Sequence, residues 1–273
     1  MTFLRHVEAL AAGDHACLIY DDEWRRDELI RSFLTAGLTR GERVVYVPER
    51  DDDAVAAELE GASDEQLTVL SARDAYVADG VFAPDQALET LRTAASESRA
   101  RGFPSLRAAG GPPRSVVENG QSVRLPDYER RVQEVVVEHR VTAVCAYDAR
   151  TTSPRTLLGV VGAHPIVLYA VKSDPRLRIE RDENRLVLRG TLEAATISGV
   201  VGPIAAVLAT DSDVLVDLAN VEFIDLSGVR LLVEASGLAA DDGRKLVVEN
   251  TPAWLASIIE MVGFGDTTGL VLR

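Results

Sequence analysis

The chain is poor in cysteine and has no apolar run long enough to cross a membrane. Only two of its 273 residues are cysteine, Cys17 and Cys145, and both lie inside apolar segments. One disulfide is arithmetically possible, but a chain of this length needs no such link, so reduced thiols are favoured. The longest apolar stretch, Leu157 to Val171, is shorter than the roughly 20 residues of a spanning helix. Since the first residues also lack the apolar core of a signal peptide, we expect a cytoplasmic protein.

Basic residues are scarce as well. Lysine and arginine total 29 against 43 aspartate and glutamate residues, which gives a formal net charge of −14. Such a charge repels phosphate backbones and anionic lipid unless a local basic patch offsets it, and no such patch is evident. Arg130 and Arg131 are interleaved with Glu129 and Glu134 along one predicted helix. We therefore expect no nucleic-acid partner and no membrane partner.

Motifs of the common nucleotide-binding and hydrolytic sites are missing. After the predicted strand "ACLIY" (16–20), the connection to the next helix is Asp21-Asp22-Glu23, without the glycines and lysine of a Walker loop. Three carboxylates occupy the place where a helix N-terminus would bind an anion. The GxSxG elbow is absent, and no catalytic Ser/His/Asp or Cys/His set is suggested by spacing. We expect neither enzymatic activity nor a cofactor, and a regulator that binds a nucleotide without hydrolysing it stays an alternative.

Residues 1–172 alternate short apolar runs with amphipathic segments. Strands that are apolar throughout, separated by helices, are typical of a parallel sheet covered by helices on both faces. The predicted strands are 16–20, 43–47, 67–71, 105–109, 141–148 and 166–171. Predicted helices follow the first strand up to Gly41, begin at Pro84, span about 126–139, and begin at Ser153-Pro154.

The segment "KSDPRLR" (172–178) ends this pattern, because a proline stands among charged residues; we place a linker at 173–178. Residues 179–273 then indicate a second α/β domain of a common size. Its predicted elements are two alternating strands joined by a tight turn, a helix at about 194–209, a strand at 214–218, a helix from about 227, the strand "KLVVEN", and a last helix from Thr251-Pro252 to Gly263.

Four polar side chains at the carboxyl ends of predicted strands form a candidate ligand site. Ligands of open parallel sheets bind outside the carboxyl ends of the strands. Tyr20 and Asp21 end one such strand, and Tyr147 and Asp148 end another. We therefore predict that a small-molecule pocket, if present, uses these residues as polar contacts.

Histidine and cysteine side chains supply an alternative site. His15 and Cys17 are two residues apart on one strand and so face the same side of the sheet. Together with Cys145 and His164 they would form a mixed His/Cys metal site, which makes a metal or redox sensor the runner-up function. The commoner case is that both cysteines pack in the core, because free cysteine is among the most buried residue types.

The stretch Asp225-Leu226-Ser227-Gly228 joins a buried-looking strand to an apolar helix. As a helix start, Asp225 or Ser227 would accept a backbone N–H. As a switch, a phosphate here would gain from the free N–H groups of the helix and repel acidic or apolar partner surfaces. As a nucleophile the hydroxyl lacks a nearby base in the sequence, so that function is disfavoured.

Residues 176–273 resemble a STAS domain, the fold of anti-sigma factor antagonists. The match rests on "GTLE" (190–193), on "VLVDLANVEFIDLSGVRLL" (214–232), and on "DDGRKLVVEN" and "IIEMVGFGD" near the end. The resemblance implies a module that binds a serine-kinase-type anti-sigma factor, which in regulated members phosphorylates a Ser or Thr directly after the aspartate. Here that position is Leu226, which has no hydroxyl, so the resemblance predicts a helix start that has lost its switch.

Residues 1–172 resemble the MEDS sensory domain. The motifs are "HACLIY" (15–20), "GLTRGERVVYV" (37–47), "CAYDAR" (145–150) and "LLGVVGAHPIVL" (157–168). The resemblance implies a degenerate RecA-like fold without a Walker loop that senses small organic molecules. The expected protein is thus a signalling protein whose sensor gates binding of an anti-sigma factor or related regulator. Its charge is compatible with a monomer or a homodimer.

Overall fold

The computed structural model describes residues 2–4, 6–49, 54–59, 63, 65–118, 120–261, 264 and 267–273. The chain forms two compact units. The first comprises residues 1–152 and 163–170, and the second comprises residues 153–162 and 171–273. No helix in the described part of the chain is both long and apolar enough to cross a membrane.

The elements up to residue 170 alternate strands and helices. In chain order they are β1 (Thr2–Leu4), β2 (His15–Tyr20), α1 (Glu23–Thr39), β3 (Arg43–Val47), α2 (Ala54–Glu58), β4 (Leu67–Val69), α3 (Ala72–Tyr76), β5 (Val77–Ala78), β6 (Val81–Phe82), α4 (Pro84–Ala100), β7 (Leu106–Gly110), α5 (Arg114–Glu118), α6 (Leu125–His139), β8 (Thr142–Asp148), α7 (Pro154–Ala163) and β9 (Ile166–Ala170).

Within the described residues, the first unit has a seven-stranded sheet in the order β1-β9-β2-β8-β7-β3-β4. Every pair of neighbouring strands is parallel. The expected parallel α/β architecture, RecA-like with no Walker loop, is confirmed. Strand β1 and the antiparallel hairpin β5–β6 were not expected from the sequence, because runs of two or three residues are too short to show a period.

Helices cover both faces of this sheet, as β7 shows. The guanidinium of Arg107 lies 4.5 Å from the ring centroid of Phe33 in α1. The next residue, Ala108, lies on the opposite face, where it lines a cavity together with Thr90 of α4 and Val132 of α6. Because successive residues of a strand point to opposite faces, α1 covers one side of the sheet while α4 and α6 cover the other.

Helix α1 illustrates why the first unit folds as the sequence suggests. Asp22 caps it by accepting the N–H of Arg25 at 3.2 Å. The helix ends just before Gly41, whose φ of +70° is a conformation that glycine adopts readily. A buried stripe of Ile30, Phe33 and Leu34 faces the sheet. Each such side chain contributes about 1.5–3 kcal/mol when fully buried.

The second unit is a smaller α/β domain. Its elements from residue 171 onward are β10 (Leu177–Asp182), β11 (Arg185–Leu192), α8 (Ser198–Leu208), β12 (Val214–Ile224), α9 (Leu226–Asp241), β13 (Leu246–Glu249), α10 (Ala253–Met261) and β14 (Leu270–Leu272). In the described residues the sheet order is β10-β11-β12-β13-β14. The first pair is antiparallel and the others are parallel, which confirms the expected STAS-type α/β class.

Some element boundaries of the second unit differ from expectation. The helix expected from about 194 begins at Ser198, because Thr196 closes a local turn instead: its hydroxyl donates to the Thr191 carbonyl and accepts the N–H of Glu193. Strand β12 extends six residues beyond the expected end at 218, reaching 224. The expected end of the last helix at Gly263 lies outside the described residues.

Candidate functional site

A compact cluster of chemically reactive side chains is buried in the first unit, on the sheet face toward α6. His15 comes from β2, Cys145 from β8, Glu129 from α6, and His164 from the turn before β9. The Nε2 atom of His15 lies 3.3 Å from Oε2 of Glu129 and 3.3 Å from Sγ of Cys145. Nε2 of His164 lies 3.4 Å from the same Glu129 oxygen. The two imidazole centroids are 4.0 Å apart. One point in space is therefore surrounded by two nitrogens, one oxygen and one sulfur.

Burial sets the charge state of this cluster. Burial, together with the neighbouring His164, lowers the pKa of His15 to about 4, so His15 is uncharged at neutral pH. Burial raises the pKa of Cys145, and the Glu129 charge raises it further, which keeps the thiol protonated. For Glu129, burial raises the pKa, but the contacts with the two imidazoles outweigh it and hold the pKa below its usual range. The result is a buried carboxylate beside the neutral imidazole of His15 and the neutral thiol of Cys145.

Two further side chains hold the cluster in position. Nδ1 of His15 lies 3.2 Å from Oε1 of Gln133, one turn beyond Glu129 on α6. That oxygen only accepts, so in the Nδ1–H tautomer of His15 it takes the Nδ1 proton, and the lone pair of Nε2 then points into the cluster. The hydroxyl of Tyr147 donates to Oε1 of Glu129, which leaves Oε2 for the cluster.

The sequence pattern did not indicate the position of Glu129. In the sequence this residue is one of several charges interleaved along a helix, whereas in the structure its side chain is 2% exposed. A signal was available: Glu129 lies four residues after Leu125 and three before Val132, both buried on the same stripe of α6. A carboxylate on an apolar stripe marks a paired interior charge.

Cys17, by contrast, does not join the group of potential metal ligands found in the described residues, which comprises His15, Glu129, Cys145 and His164. Cys17 pairs in register with Cys145 on the adjacent strand and is fully buried. Both cysteines are free thiols. Burial raises the pKa of Cys17, as expected of a small core residue.

The residues predicted at the carboxyl edge of the sheet contact other protein groups. Tyr20 donates its hydroxyl to Glu49 at 2.7 Å. Asp148 forms a two-pronged ion pair with Arg150, whose NH2 also reaches Glu23 at 3.0 Å. The hydrogen bonds to Asp148 raise the pKa of Arg150.

This edge therefore holds an ion network at the place of a phosphate loop. The pocket beside it, lined by Tyr147 and Asp148 among others, has a volume of about 10 Å³. That is room for roughly one water molecule. The assignment of Tyr20, Asp21, Tyr147 and Asp148 as ligand contacts stays a prediction.

A larger cavity of about 70 Å³ lies between the sheet and helices α3, α4 and α6. Small and apolar residues make up most of its wall, and glycine is needed at position 110, where a Cβ would come within 2.9 Å of Val47. The lining residues are Val45, Val47, Leu70, Ala75, Tyr76, Ala87, Thr90, Leu91, Ala94, Ala108, Ala109, Gly110, Tyr128, Val132, Ala143, Val144 and Cys145.

The polar residues of this lining are Tyr76, Thr90, Tyr128 and Cys145. Burial raises the pKa of both tyrosines, so they are neutral hydrogen-bonding groups. A wider groove of about 350 Å³ shares Val45, Leu70, Thr90 and Ala94 with the cavity wall. Cys145 belongs both to this wall and to the buried cluster.

In the second unit, the start of α9 resolves which of two residues caps the helix. Oδ1 of Asp225 accepts the N–H groups of Ser227 and Gly228 at 2.8 and 3.0 Å, and Oδ2 accepts the N–H of Ala194 at 3.1 Å. Asp225 is therefore the cap, and it also ties α9 to the turn that precedes α8. A Cβ on Gly228 would lie 2.7 Å from the carbonyl oxygen of Leu192, so α9 approaches β11 closely.

The side chain at the first position of α9 is the exposed one. Leu226 is 45% exposed and Phe223, just before the turn, is 50% exposed, whereas Ser227 is partly buried. Position 226, directly after the capping aspartate, is thus accessible but carries no hydroxyl. We name these two exposed apolar residues the 223/226 patch.

Comparison with protein families agrees with both units. A family described as MEDS, the MEthanogen/methylotroph, DcmR Sensory domain, matches residues 14–165, more than half of the chain. A second family, described as Mlab, STAS domain, matches residues 176–272. None of the curated proteins is similar enough to the chain to count as a match. The chain therefore belongs to the MEDS family of sensory domains and carries a STAS domain after its MEDS domain.

Proposed function

We propose that the protein is a non-enzymatic signalling protein in which the MEDS domain binds a small uncharged molecule and thereby controls what the STAS domain binds. The partner is a serine-kinase-like anti-sigma factor or a related regulator, as in anti-sigma factor antagonists. The observation that carries the sensory role is the apolar cavity behind β7 and β8, with its two tyrosine hydroxyls and one thiol.

The cavity restricts the ligand by size and polarity. Its volume of about 70 Å³ is roughly half of an engineered cavity of about 150 Å³ that binds benzene or xenon. A molecule of about three or four heavy atoms fits such a space. Tyr76, Tyr128 and Cys145 are all neutral, so the cavity favours an uncharged molecule with at most one or two hydrogen-bonding atoms.

Xenon and acetone test this pocket, one as a purely apolar probe and the other with a single acceptor. We expect saturable binding of at least one of them by the full chain, measured by NMR shifts and by the thermal midpoint. Ala108→Leu fills the cavity and should abolish binding. Ala100→Leu introduces the same side chain on the exposed end of α4 and should leave binding unchanged. Equal binding by both variants, or none by the parent chain, would contradict the proposal.

The 223/226 patch supports a binding role for the STAS domain. Leu226 and Phe223 expose apolar surface beside a helix start, and such surface is typical of protein contacts. Because Leu226 has no hydroxyl, partner binding at this position would not be switched by phosphorylation there. Control would then have to come from the sensory domain.

Capture from a lysate of the native host tests the partner. Full-length protein should retain a kinase-like ATPase identified by mass spectrometry. Leu226→Glu should lose it, because a buried unpaired carboxylate opposes an apolar contact. Met261→Glu is the matched control, since Met261 is also an exposed apolar residue of the second unit, at 83%. If only Met261→Glu loses the ATPase, the partner contacts α10 and not the 223/226 patch.

Coupling between the two domains has a quantitative requirement. A ligand shifts an equilibrium only by its difference in affinity for the two states, and a tenfold change in partner binding corresponds to about 1.4 kcal/mol. We expect the cavity probe to change partner retention by the full chain, and Ala108→Leu to remove that dependence while retaining the partner. Retention that is identical with and without a probe known to bind would exclude gating.

The alternative that the protein binds a nucleotide has its own test. A thermal midpoint that does not change when ATP and magnesium are added would exclude that alternative.

A further inference from the structure

We propose that His15, Glu129, Cys145 and His164 bind one divalent transition-metal ion, with zinc the best match. This site is separate from the ligand cavity of the proposed function, although Cys145 borders both. Its donor atoms all lie within 4.8 Å of one another. None of the four residues is adjacent in sequence to another, so the fold brings them together from two strands, one helix and one turn.

The separations match a tetrahedral ion. Zinc bonds of about 2.0–2.1 Å to nitrogen and oxygen and about 2.3 Å to sulfur place neighbouring ligand atoms roughly 3.3–3.6 Å apart. The observed distances from His15 Nε2 are 3.3 Å to the Glu129 oxygen and 3.3 Å to the Cys145 sulfur. The distance from His164 Nε2 to that oxygen is 3.4 Å. The remaining pairs lie within 4.8 Å and need to contract by up to about 1.5 Å.

Charge balance favours a divalent ion. Two neutral imidazoles, one carboxylate and one thiolate carry a total charge of −2, so a divalent ion gives a neutral site. Neutrality matters because His15, Glu129 and His164 are at most 3% exposed, and an uncompensated buried charge is strongly unfavourable. Imidazole and thiolate ligands suit zinc, whereas an all-oxygen site would suit magnesium or calcium.

The second layer of contacts is the independent observation that points to a metal. Metal-binding histidines usually donate their other N–H to an acceptor, which fixes the tautomer. Gln133 does this for Nδ1 of His15, and Tyr147 occupies the outer oxygen of Glu129. Both contacts aim the remaining lone pair of each residue at the same point. Without an ion or a proton there, the Nε2 lone pair of His15 and the Glu129 oxygen face each other at 3.3 Å.

The first test uses the parent chain purified without a metal-affinity tag. After dialysis against zinc and then against buffer, we expect about one zinc per chain by mass spectrometry. Replacement by cobalt should give a thiolate-to-cobalt charge-transfer band and the intense visible bands of a tetrahedral ion. Less than about a tenth of an equivalent of zinc, or a cobalt spectrum without the thiolate band, would overturn the proposal.

The two cysteines provide a matched pair of variants. Cys145→Ser should abolish the thiolate band and weaken zinc binding by more than about 100-fold. Cys17→Ser makes the same change at a buried residue in register on the neighbouring strand, and should leave both the band and the affinity unchanged. The reverse result would show that the sulfur ligand is Cys17 and would refute this ligand set.

A variant outside the ligands covers the case in which Cys145→Ser fails to fold. Gln133→Leu removes only the acceptor behind His15, and loss of such a contact typically weakens metal binding about 10- to 100-fold. Unchanged zinc affinity in this variant would contradict the proposed role of the His15 tautomer. Ala108→Leu, which fills the ligand cavity, should keep its zinc, so failure of the sensory proposal and failure of the metal proposal are distinguishable.

Discussion

The two domains bury different kinds of side chain. In the described part of the first unit the interior includes ionisable groups such as His15, Arg107, Glu129 and His164. In the described part of the second unit the buried polar side chains are the hydroxyls of Thr156, Thr196 and Ser236. Burying a charge is unfavourable unless it is paired, so the first interior depends on specific partners. The stability of the second unit's interior depends mainly on how well its apolar side chains fit together.

The two units also differ in how their exposed apolar residues are distributed. In the first unit the large ones, for example Trp24 and Val137, are isolated on separate elements. In the second unit they fall into two short segments, Phe223 with Leu226 and Trp254 with Met261. Scattered apolar residues are normal on a surface, whereas grouped ones mark contacts. The first domain thus keeps its ionisable side chains inside, and the second domain exposes its large apolar side chains in groups.

Removing a buried charge is expected to have the largest effect. Arg107 is fully buried, donates to Glu42 and to the Leu10 carbonyl, and lies against Phe33. Arg107→Ala should lower the free energy of unfolding of the first unit by about 3–5 kcal/mol, because it leaves Glu42 unpaired. Trp24 reports this unit in a Trp254→Phe background, so urea unfolding followed by fluorescence measures it.

The matched control is a surface ion pair of the second unit. Arg189 and Glu180 lie 3.4 Å apart and are well exposed. Arg189→Ala should cost less than about 1 kcal/mol. Equal losses for the two arginines would remove the distinction between the two domains.

The next prediction concerns the packing of the second unit, at the point where α9 approaches β11 closely. Gly228→Ala places a Cβ 2.7 Å from both the Leu192 carbonyl and Ile224, which should destabilise the second unit by about 1–3 kcal/mol. In Gly199→Ala the new Cβ meets nothing within 4 Å, so this variant should be neutral or stabilised by up to about 1 kcal/mol. Urea unfolding, followed by the fluorescence of Trp254 in a Trp24→Phe background, measures the stability of each variant. Similar losses at both sites would show that packing at 228 is not special.

The helix cap is expected to contribute somewhat less. Asp225→Ala removes the acceptor for Ser227, Gly228 and Ala194 and should cost about 1 kcal/mol. Asp225→Ser retains a capping oxygen and should recover part of the loss. The same fluorescence readout applies, and an alanine variant as stable as the parent would contradict the assignment of Asp225 as the cap.

The smallest effect concerns pH. The N–H of Ala219, with Asn250 and Arg185, lowers the pKa of Asp217 below its usual value. Because the folded pKa is depressed, this stabilisation is present above the unfolded pKa, about 3.9, and is lost as pH falls through the folded pKa. Asp217→Asn should cost about 1 kcal/mol near pH 7 and nothing at the acid end. Parallel stability curves for parent and variant between pH 7 and pH 2 would contradict this.

Much of the fold could be predicted from the sequence because its elements are long enough to show a period. The runs around β2, β3 and β8, and the stripes of α1 and α6, fall close to their observed positions. The hairpin of Val77 to Phe82 was missed because two-residue strands carry no period.

Candidate sites were harder to predict, since they depend on contacts between distant segments. Strand alternation placed His15 and Cys17 on one face, but it could not show that Glu129 of α6 reaches His15. The cavity was not expected at all. It arises where several small residues, such as Ala94, Ala108 and Ala143, face one another, and each alone resembles an ordinary core residue.

The exposure of Leu226 has a consequence for which residues position 226 can accept. Because about half of this side chain is in solvent and Asp225 alone caps the helix, a change at 226 disturbs little of the folded domain. Surface substitutions of this kind usually alter stability by less than about 0.5 kcal/mol. A serine or threonine at position 226 would therefore meet little structural constraint, and a form of the protein with a hydroxyl there is one substitution away.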